Sequence, residues 1–158
     1  MKTYAEKYED FTRATVELAG RIQSANAAKF TVRWTLPQVT MALQNLYKDP
    51  IFHTKFVGNT LEDNTWSYGF CALASVVIYE MFGRDEVWQP MAIGYKDWKY
   101  GSVVFLKDNA TGINFNTMGE HYPTAVPYEI GHPIDMYKPK TPNKEIFLKA
   151  LYFELRNL

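Results

Sequence analysis

The stretch from Asn64 to Gly83 constrains the fold of this 158-residue chain more than any other. It is apolar for almost three helical turns, and Gly83 follows as a stop signal. A helix that is apolar on nearly every side belongs in the interior of a fold, and about a dozen residues are too few to cross a bilayer, which takes about 20. We therefore predict a central buried helix over Phe70 to Met81.

The single cysteine of the chain, Cys71, falls in the first turn of that helix, directly after Tyr68-Gly69-Phe70. The start of a helix favours a thiolate over a thiol, because unpaired N–H groups and the positive end of the helix dipole lie there. This position predicts a nucleophile. The alternative is that Cys71 is an ordinary core residue, since a free cysteine is among the most buried residue types.

Composition limits the class of protein. A length of 158 residues suits one domain with a real core, so we predict a single domain over residues 1–158. Lys plus Arg and Asp plus Glu both number 17, and this balance argues against extended nucleic-acid binding. One cysteine excludes a multi-cysteine zinc site, and the three histidines show no metal-ligand spacing. We expect no metal and no cofactor.

The sequence also bears on location. The charged start of the chain lacks the apolar region of a signal peptide, and no stretch is long and apolar enough to span a membrane. A single cysteine also fits a reducing compartment. We expect a cytoplasmic protein that does not associate with membranes.

Hydrophobic periodicity predicts helices on both sides of the central one. An apolar stripe at four- and three-residue spacing predicts a first helix over Thr3 to Ala27. Thr35 as cap and Pro37 in the first turn open a second helix, which stops before Asp49-Pro50. The last helix opens at Thr141-Pro142. These helices are predicted to flank the core at both ends of the chain.

Strand signals follow the central helix. Ser102 to Lys107 is the clearest strand, and Asp108 to Gly112 is a turn that leads to its hairpin partner, Ile113 to Asn116. Glu86 to Gly94 is a moderate strand signal that Pro90 weakens. An antiparallel meander beside buried helices predicts an α+β fold.

Two long loops complete the prediction, Pro50 to Trp66 and Met118 to Pro142. The second carries His121 and His132, two of the three histidines. Loops often deliver catalytic groups, so either histidine could lie over Cys71 as a base. The sequence does not choose between them, and a surface or structural role is the alternative for both.

A family resemblance spans Asn64 to Phe115. The residues that carry it are N-T-W-S-Y-G-F-C-A-L-A-S-V-V, then Phe82-Gly83, then the strands S-V-V-F-L-K-D and G-I-N-F-N. This run resembles the small bacterial family called YunG, which is similar in layout to papain-like and transglutaminase-like thiol enzymes. The resemblance implies a papain-like core, in which a central Cys-bearing helix packs on a short antiparallel sheet.

The resemblance also implies roles for residues. Cys71 lies where the nucleophile of the family would be. Ser102 replaces the histidine that opens the strand in the family, Asn114 replaces the aspartate of the partner strand, and Asn116 replaces the threonine. A thiol enzyme needs a base within about 2.6–3.2 Å of the sulfur and a third group that orients this base. Asn114 could orient a histidine ring, but Ser102 cannot act as the base.

Two functional hypotheses result. The first is a thiol hydrolase or acyl transferase with Cys71 as nucleophile, Asn114 as orienting residue, and His121 or His132 as base. The start of the central helix would supply oxyanion donors. The second is a catalytically inactive papain-like fold that binds a protein or small-molecule partner through the segment from His121 to Tyr137. The opening Met1-Lys2-Thr3-Tyr4 resembles internal capsid proteins of some large phages, which implies a phage-encoded accessory protein.

Overall fold

The computed structural model describes residues 4–49, 70–117, 124–136 and 144–157. These ranges contain four α-helices: α1 (Tyr4–Asn26), α2 (Leu36–Lys48), α3 (Phe70–Met81) and α4 (Lys144–Arg156). They also contain four strands: β1 (Trp88–Ile93), β2 (Val103–Asp108), β3 (Asn114–Phe115) and β4 (His132–Pro133). All strand pairs are antiparallel, so the predicted α+β class is confirmed. None of the described helices is long and apolar enough to cross a bilayer.

The helix ends follow the sequence signals. At the start of α2 the Thr35 hydroxyl accepts from the Gln38 N–H at 3.3 Å, and the Gln38 side chain accepts from the Thr35 N–H at 2.9 Å. Helix α3 has the predicted bounds and is followed by Gly83 at φ 99°. A Cβ at Gly83 would lie 2.3 Å from Cγ2 of Val87, so both the conformation and the space require glycine there.

The sheet has the order β3-β2-β1-β4, which places Pro90 inside a central strand. The Pro90 carbonyl accepts from the Ile134 N–H at 3.0 Å, next to β4. The N–H and C=O of one residue in an antiparallel strand point to the same side, so the missing donor of Pro90 also faces β4. The pairing of β1 with β2 therefore loses no hydrogen bond, and the predicted strand forms despite the proline.

The two faces of the sheet differ. One face is covered by the helices and contributes Trp88, Leu106 and Phe115 to the main core. The other face carries a smaller core under the segment 124–136. Its buried members are Ile93, Val103, Phe105 and Val126. Helix α3 packs on the first face, as predicted for the central helix.

Part of the predicted second loop is structured, which corrects the sequence analysis. Tyr128–Ile130 forms a 3₁₀ turn, and His132 lies in strand β4 rather than in a loop. Gly131 makes this possible, because a Cβ at that position would lie 2.8 Å from Cζ of Phe105. The predicted loop from Pro50 to Trp66 and the remaining parts of the second loop lie outside the described residues.

Candidate functional site

Helix α3 runs in the same direction as β2. In the middle of the helix, the Ser75 hydroxyl donates to the Val104 carbonyl near the start of β2, at 3.3 Å. Just past the end of the helix, the indole N–H of Trp88 donates to the Phe82 carbonyl at 2.9 Å, and Trp88 pairs with the last residue of β2. The first turn of α3, which carries Cys71, therefore lies at the end of the sheet where β2 begins and β1 ends.

Cys71 is buried in the main core, with 7% of its surface exposed. Ser75 follows one turn later on the same side of the helix and is 1% exposed. This side of α3 is the one that packs on the sheet. The described residues therefore leave little of Cys71 open to a substrate or reagent.

His132 lies on the face of the sheet that α3 covers. It is directly opposite Ala92 in β1, and Ala92 is four residues from Trp88, which belongs to the main core. Strand residues an even number apart share a face, as do directly paired residues. Ala92 also pairs with Val104, so His132 lies two strands away from Val104, roughly 10 Å between Cα atoms. The side chain is exposed at the sheet edge.

Asn114 lies on the other face of the sheet. It pairs with Lys107, near the end of β2 that is remote from Cys71. Its neighbour Phe115 stacks on Trp88 in the main core, with ring centroids 6.0 Å apart. Successive strand residues point to opposite faces, so Asn114 points away from α3. The structure thus does not bring Asn114 to Cys71, and His121 lies outside the described residues.

A buried polar link near the start of β2 was missed by the sequence analysis. Gln44 is fully buried in α2, and its amide donates to the carbonyl of Thr117, just beyond β3. The Thr117 hydroxyl is also buried, without a hydrogen-bond partner among the described residues. Gln44 follows Leu36 and Thr40 at four-residue spacing, on the buried stripe of the helix. A polar residue on an apolar stripe is the signal that could have revealed it.

The opposite end of the sheet holds a second buried polar group. Asp108 is fully buried, and its carboxylate accepts from the side-chain amide of Asn26 at 3.2 Å. It also accepts from the N–H of Thr111 at 3.1 Å and from the Thr111 hydroxyl at 2.5 Å. These bonds fasten the turn between β2 and β3 to the end of α1. They fit a structural role for this carboxylate.

The side of α3 that points away from the sheet borders an open groove of about 630 Å³. Residues follow each other at about 100° around a helix, so Val77 and Met81 lie opposite Ser75. The groove is bounded by α3, by α4 and by the segment 32–34. Its lining residues are Val32, Arg33, Trp34, Val76, Val77, Glu80, Met81, Leu148, Leu151, Tyr152 and Leu155.

The segment 32–34 is fixed at both ends. Before it, the ring of Phe30 packs edge-to-face on Phe82, with centroids 5.1 Å apart. After it, the N–H of Leu36 donates to the Gln23 side chain at 2.8 Å. One wall of the groove is therefore held in place by contacts to Phe82, directly after α3, and to Gln23 of α1.

Two charged residues with different surroundings are among the described residues that line the groove. Glu80 accepts from Arg84 through two nitrogens, Nε at 3.0 Å and Nη2 at 2.8 Å. Arg33 lies over the ring of Trp34, 5.5 Å from its centroid, and no carboxylate of the described residues pairs with it. The Trp34 ring in turn contacts Tyr152 of α4 edge-to-face at 6.1 Å. Among the described side chains, the groove thus has a largely apolar lining, one paired acid and one base without a carboxylate partner.

Neither metal geometry nor similarity to known proteins assigns a function. Within the described ranges, no group of three His, Cys, Asp or Glu side chains is placed to hold a metal ion. No family model, curated protein or solved structure matches the chain. The resemblance to the YunG family stays a prediction, and the candidate sites depend on geometry alone.

Proposed function

We propose that this protein binds a ligand with an apolar body in the groove between α3, α4 and the segment 32–34. The observation that carries this proposal is the open cavity of about 630 Å³ with its largely apolar lining. Small-molecule sites are typically clefts of about 300–1,000 Å³ lined by hydrophobic and aromatic side chains with few polar groups. This is the predicted binding role, at a different surface from the predicted segment His121 to Tyr137.

The lining combines a rigid floor with an exposed rim. Leu151 and Leu155 are 2% and 3% exposed and belong to the main core, so the floor is part of the packed interior. Tyr152 at the rim is 56% exposed. Covering such apolar surface contributes about 25 cal/mol per Å². Because the floor residues are already almost fully buried, a ligand in the groove gains binding free energy mainly by covering rim residues such as Tyr152.

Titration with 1-octanol, followed by NMR of the backbone amides, tests this proposal. We expect saturable shifts at Val77 and Leu151. Leu148→Trp places an indole at the groove and should abolish the shifts, because the lining residue Leu148 is only half-buried. Lys149→Trp is the matched control, since Lys149 is exposed and does not line the groove. Absence of saturable binding, or binding that Leu148→Trp leaves unchanged, would refute the proposal.

A thiol hydrolase or acyl transferase is the second candidate function. Two observations favour it: Cys71 lies in the first turn of α3, and His132 lies on the same face of the sheet. In this reaction the thiolate attacks an acyl carbon, the leaving group takes the proton from the imidazolium, and water then releases the acid. Hydrolysis of p-nitrophenyl acetate that disappears in both Cys71→Ala and His132→Ala would support this candidate. Rates equal to that of the wild type in both variants would exclude it.

A further inference from the structure

The charges at the groove indicate what kind of ligand it takes, provided that the proposed function is correct. We infer that the groove binds a small amphipathic anion, whose carboxylate pairs with Arg33 while its apolar body lies along Val77 and Leu151. The inference depends on the contrast between Arg33 and Glu80, the two charged residues among the described lining.

Glu80 is already neutralised within the protein. Both bonds from Arg84 reach the same carboxylate oxygen, and the pair is one helical turn apart. A cationic ligand would have to compete with this guanidinium for the carboxylate. Glu80 therefore offers little net attraction to a positive headgroup.

Arg33 has no such partner. Its guanidinium is exposed and contacts the face of Trp34, whereas no acidic side chain of the described residues forms an ion pair with it. A guanidinium presents its N–H donors in a planar fork that matches a carboxylate, and such charge-assisted bonds are about twice as strong as neutral ones. The stacking on Trp34 also holds the group beside the groove. The unpaired positive charge therefore complements a negative headgroup.

The size of the cavity favours a small molecule over a segment of a partner protein. About 630 Å³ lies in the middle of the range for small-molecule sites, roughly 300–1,000 Å³. The ring contact between Trp34 and Tyr152 joins the segment 32–34 to α4. The combination of an apolar floor, aromatic walls and one guanidinium fits a fatty-acid-like carboxylate.

Three ligands with the same eight-carbon tail test the inference: octanoate, 1-octanol and octyltrimethylammonium, each below its micellar concentration. We expect octanoate to bind about tenfold more tightly than 1-octanol, and the ammonium to bind most weakly. Arg33→Gln should weaken octanoate about tenfold and leave 1-octanol unchanged, since only the charged contact is lost. The affinity of Arg33→Lys for octanoate should fall between those of the wild type and Arg33→Gln, because lysine keeps the positive charge but lacks the planar fork of N–H donors.

Two further variants separate the possible failures. Arg21→Gln is the matched control, because Arg21 is exposed and lies outside the groove, and it should change nothing. Tyr152→Ala should weaken all three ligands by a similar factor, as expected for an apolar wall. Equal binding of octanoate and 1-octanol, or tightest binding of the ammonium, would overturn the inference and leave the proposed function standing. If none of the three binds saturably, the proposed function itself fails.

Discussion

The two sides of helix α3 differ in what covers them. On the sheet side, Cys71 and Ser75 are 7% and 1% exposed, and the Ser75 hydroxyl is bonded to β2. On the other side, α4 and the segment 32–34 cover the helix only in part and leave the groove. The residue type with the strongest chemical signal thus lies on the closed side. The open side has no motif, yet it borders the groove in which we propose that a ligand binds.

This difference shows that a reactive residue type and an accessible surface are separate requirements for a site. At the closed side the polar groups of Ser75 and Gln44 bond to backbone carbonyls of neighbouring elements, so they serve the fold. At the open side Arg33 retains hydrogen-bonding capacity that the described fold does not use. Unused capacity beside a cavity is a better indication of binding than a buried thiol.

Truncating one core side chain on each side of α3 should give the largest contrast. Ile78 is fully buried against the sheet, and Ile78→Ala should lower the free energy of unfolding by about 2–5 kcal/mol because it leaves a cavity in the core. Met81 lines the groove and is only half-buried, so Met81→Ala should cost about 1 kcal/mol. Urea denaturation of both variants measures the difference. Equal losses would mean that the groove side is as closely packed as the sheet side.

Several elements were predicted well from the sequence. The bounds of α3, the Thr35 cap and the β2–β3 hairpin all follow from local patterns. Strand β4 was not predicted, because its two residues carry no alternation and its partner β1 is distant in the sequence. The family resemblance gave Asn114 an orienting role, although alternation with Phe115 places it on the opposite face.

The groove could not be predicted from the sequence. It is a space left between three segments that are distant in the chain, and no local pattern records where packing is incomplete. Arg33 and Trp34 lie between two helices in a segment without periodicity. Their importance becomes apparent only when Tyr152 is found across the groove.

The second-largest contrast is expected in the reactivity of thiols on the sheet side and on the groove side of α3. Iodoacetamide should alkylate Cys71 in the native protein on the order of 100-fold more slowly than in urea, because labelling needs a local opening of the contact with the sheet. Met81→Cys in a Cys71→Ala background puts a thiol on the groove side of the same helix. It should react in the native protein at close to the unfolded rate.

Fast labelling of native Cys71 would contradict the assignment of the sheet side of α3 as the closed side. It would mean that the sheet side opens readily, and it would favour the thiol enzyme over the binding protein. Labelling of the Met81→Cys protein in the presence of saturating 1-octanol provides a further check. Protection by the ligand is expected only on the groove side, so native Cys71 should label equally slowly with and without it.

The smallest expected effect concerns the helix that forms the outer wall of the groove. Glu154 of α4 has a pKa raised above its usual 4.5, first because burial removes water from the carboxylate and second because Asp49 at the end of α2 repels its charge. The folded state therefore favours the protonated form. The stabilisation that Glu154 contributes is therefore complete below pH 4.5, and it is lost as the pH rises through the raised pKa.

Glu154→Gln should remove this loss, so the variant should gain stability relative to the wild type as the pH rises from 4 to 7. The measurement is the difference in the free energy of unfolding between the two proteins across that range. Asp49→Asn should produce part of the same gain, because only the second cause of the raised pKa is removed. Glu86→Gln, in the 3₁₀ turn after α3, is a control outside the contact between α2 and α4. If the difference in the free energy of unfolding between Glu154→Gln and the wild type is constant with pH, the charge of Glu154 does not destabilise α4. The groove side of α3 would then be no more sensitive to pH than the sheet side.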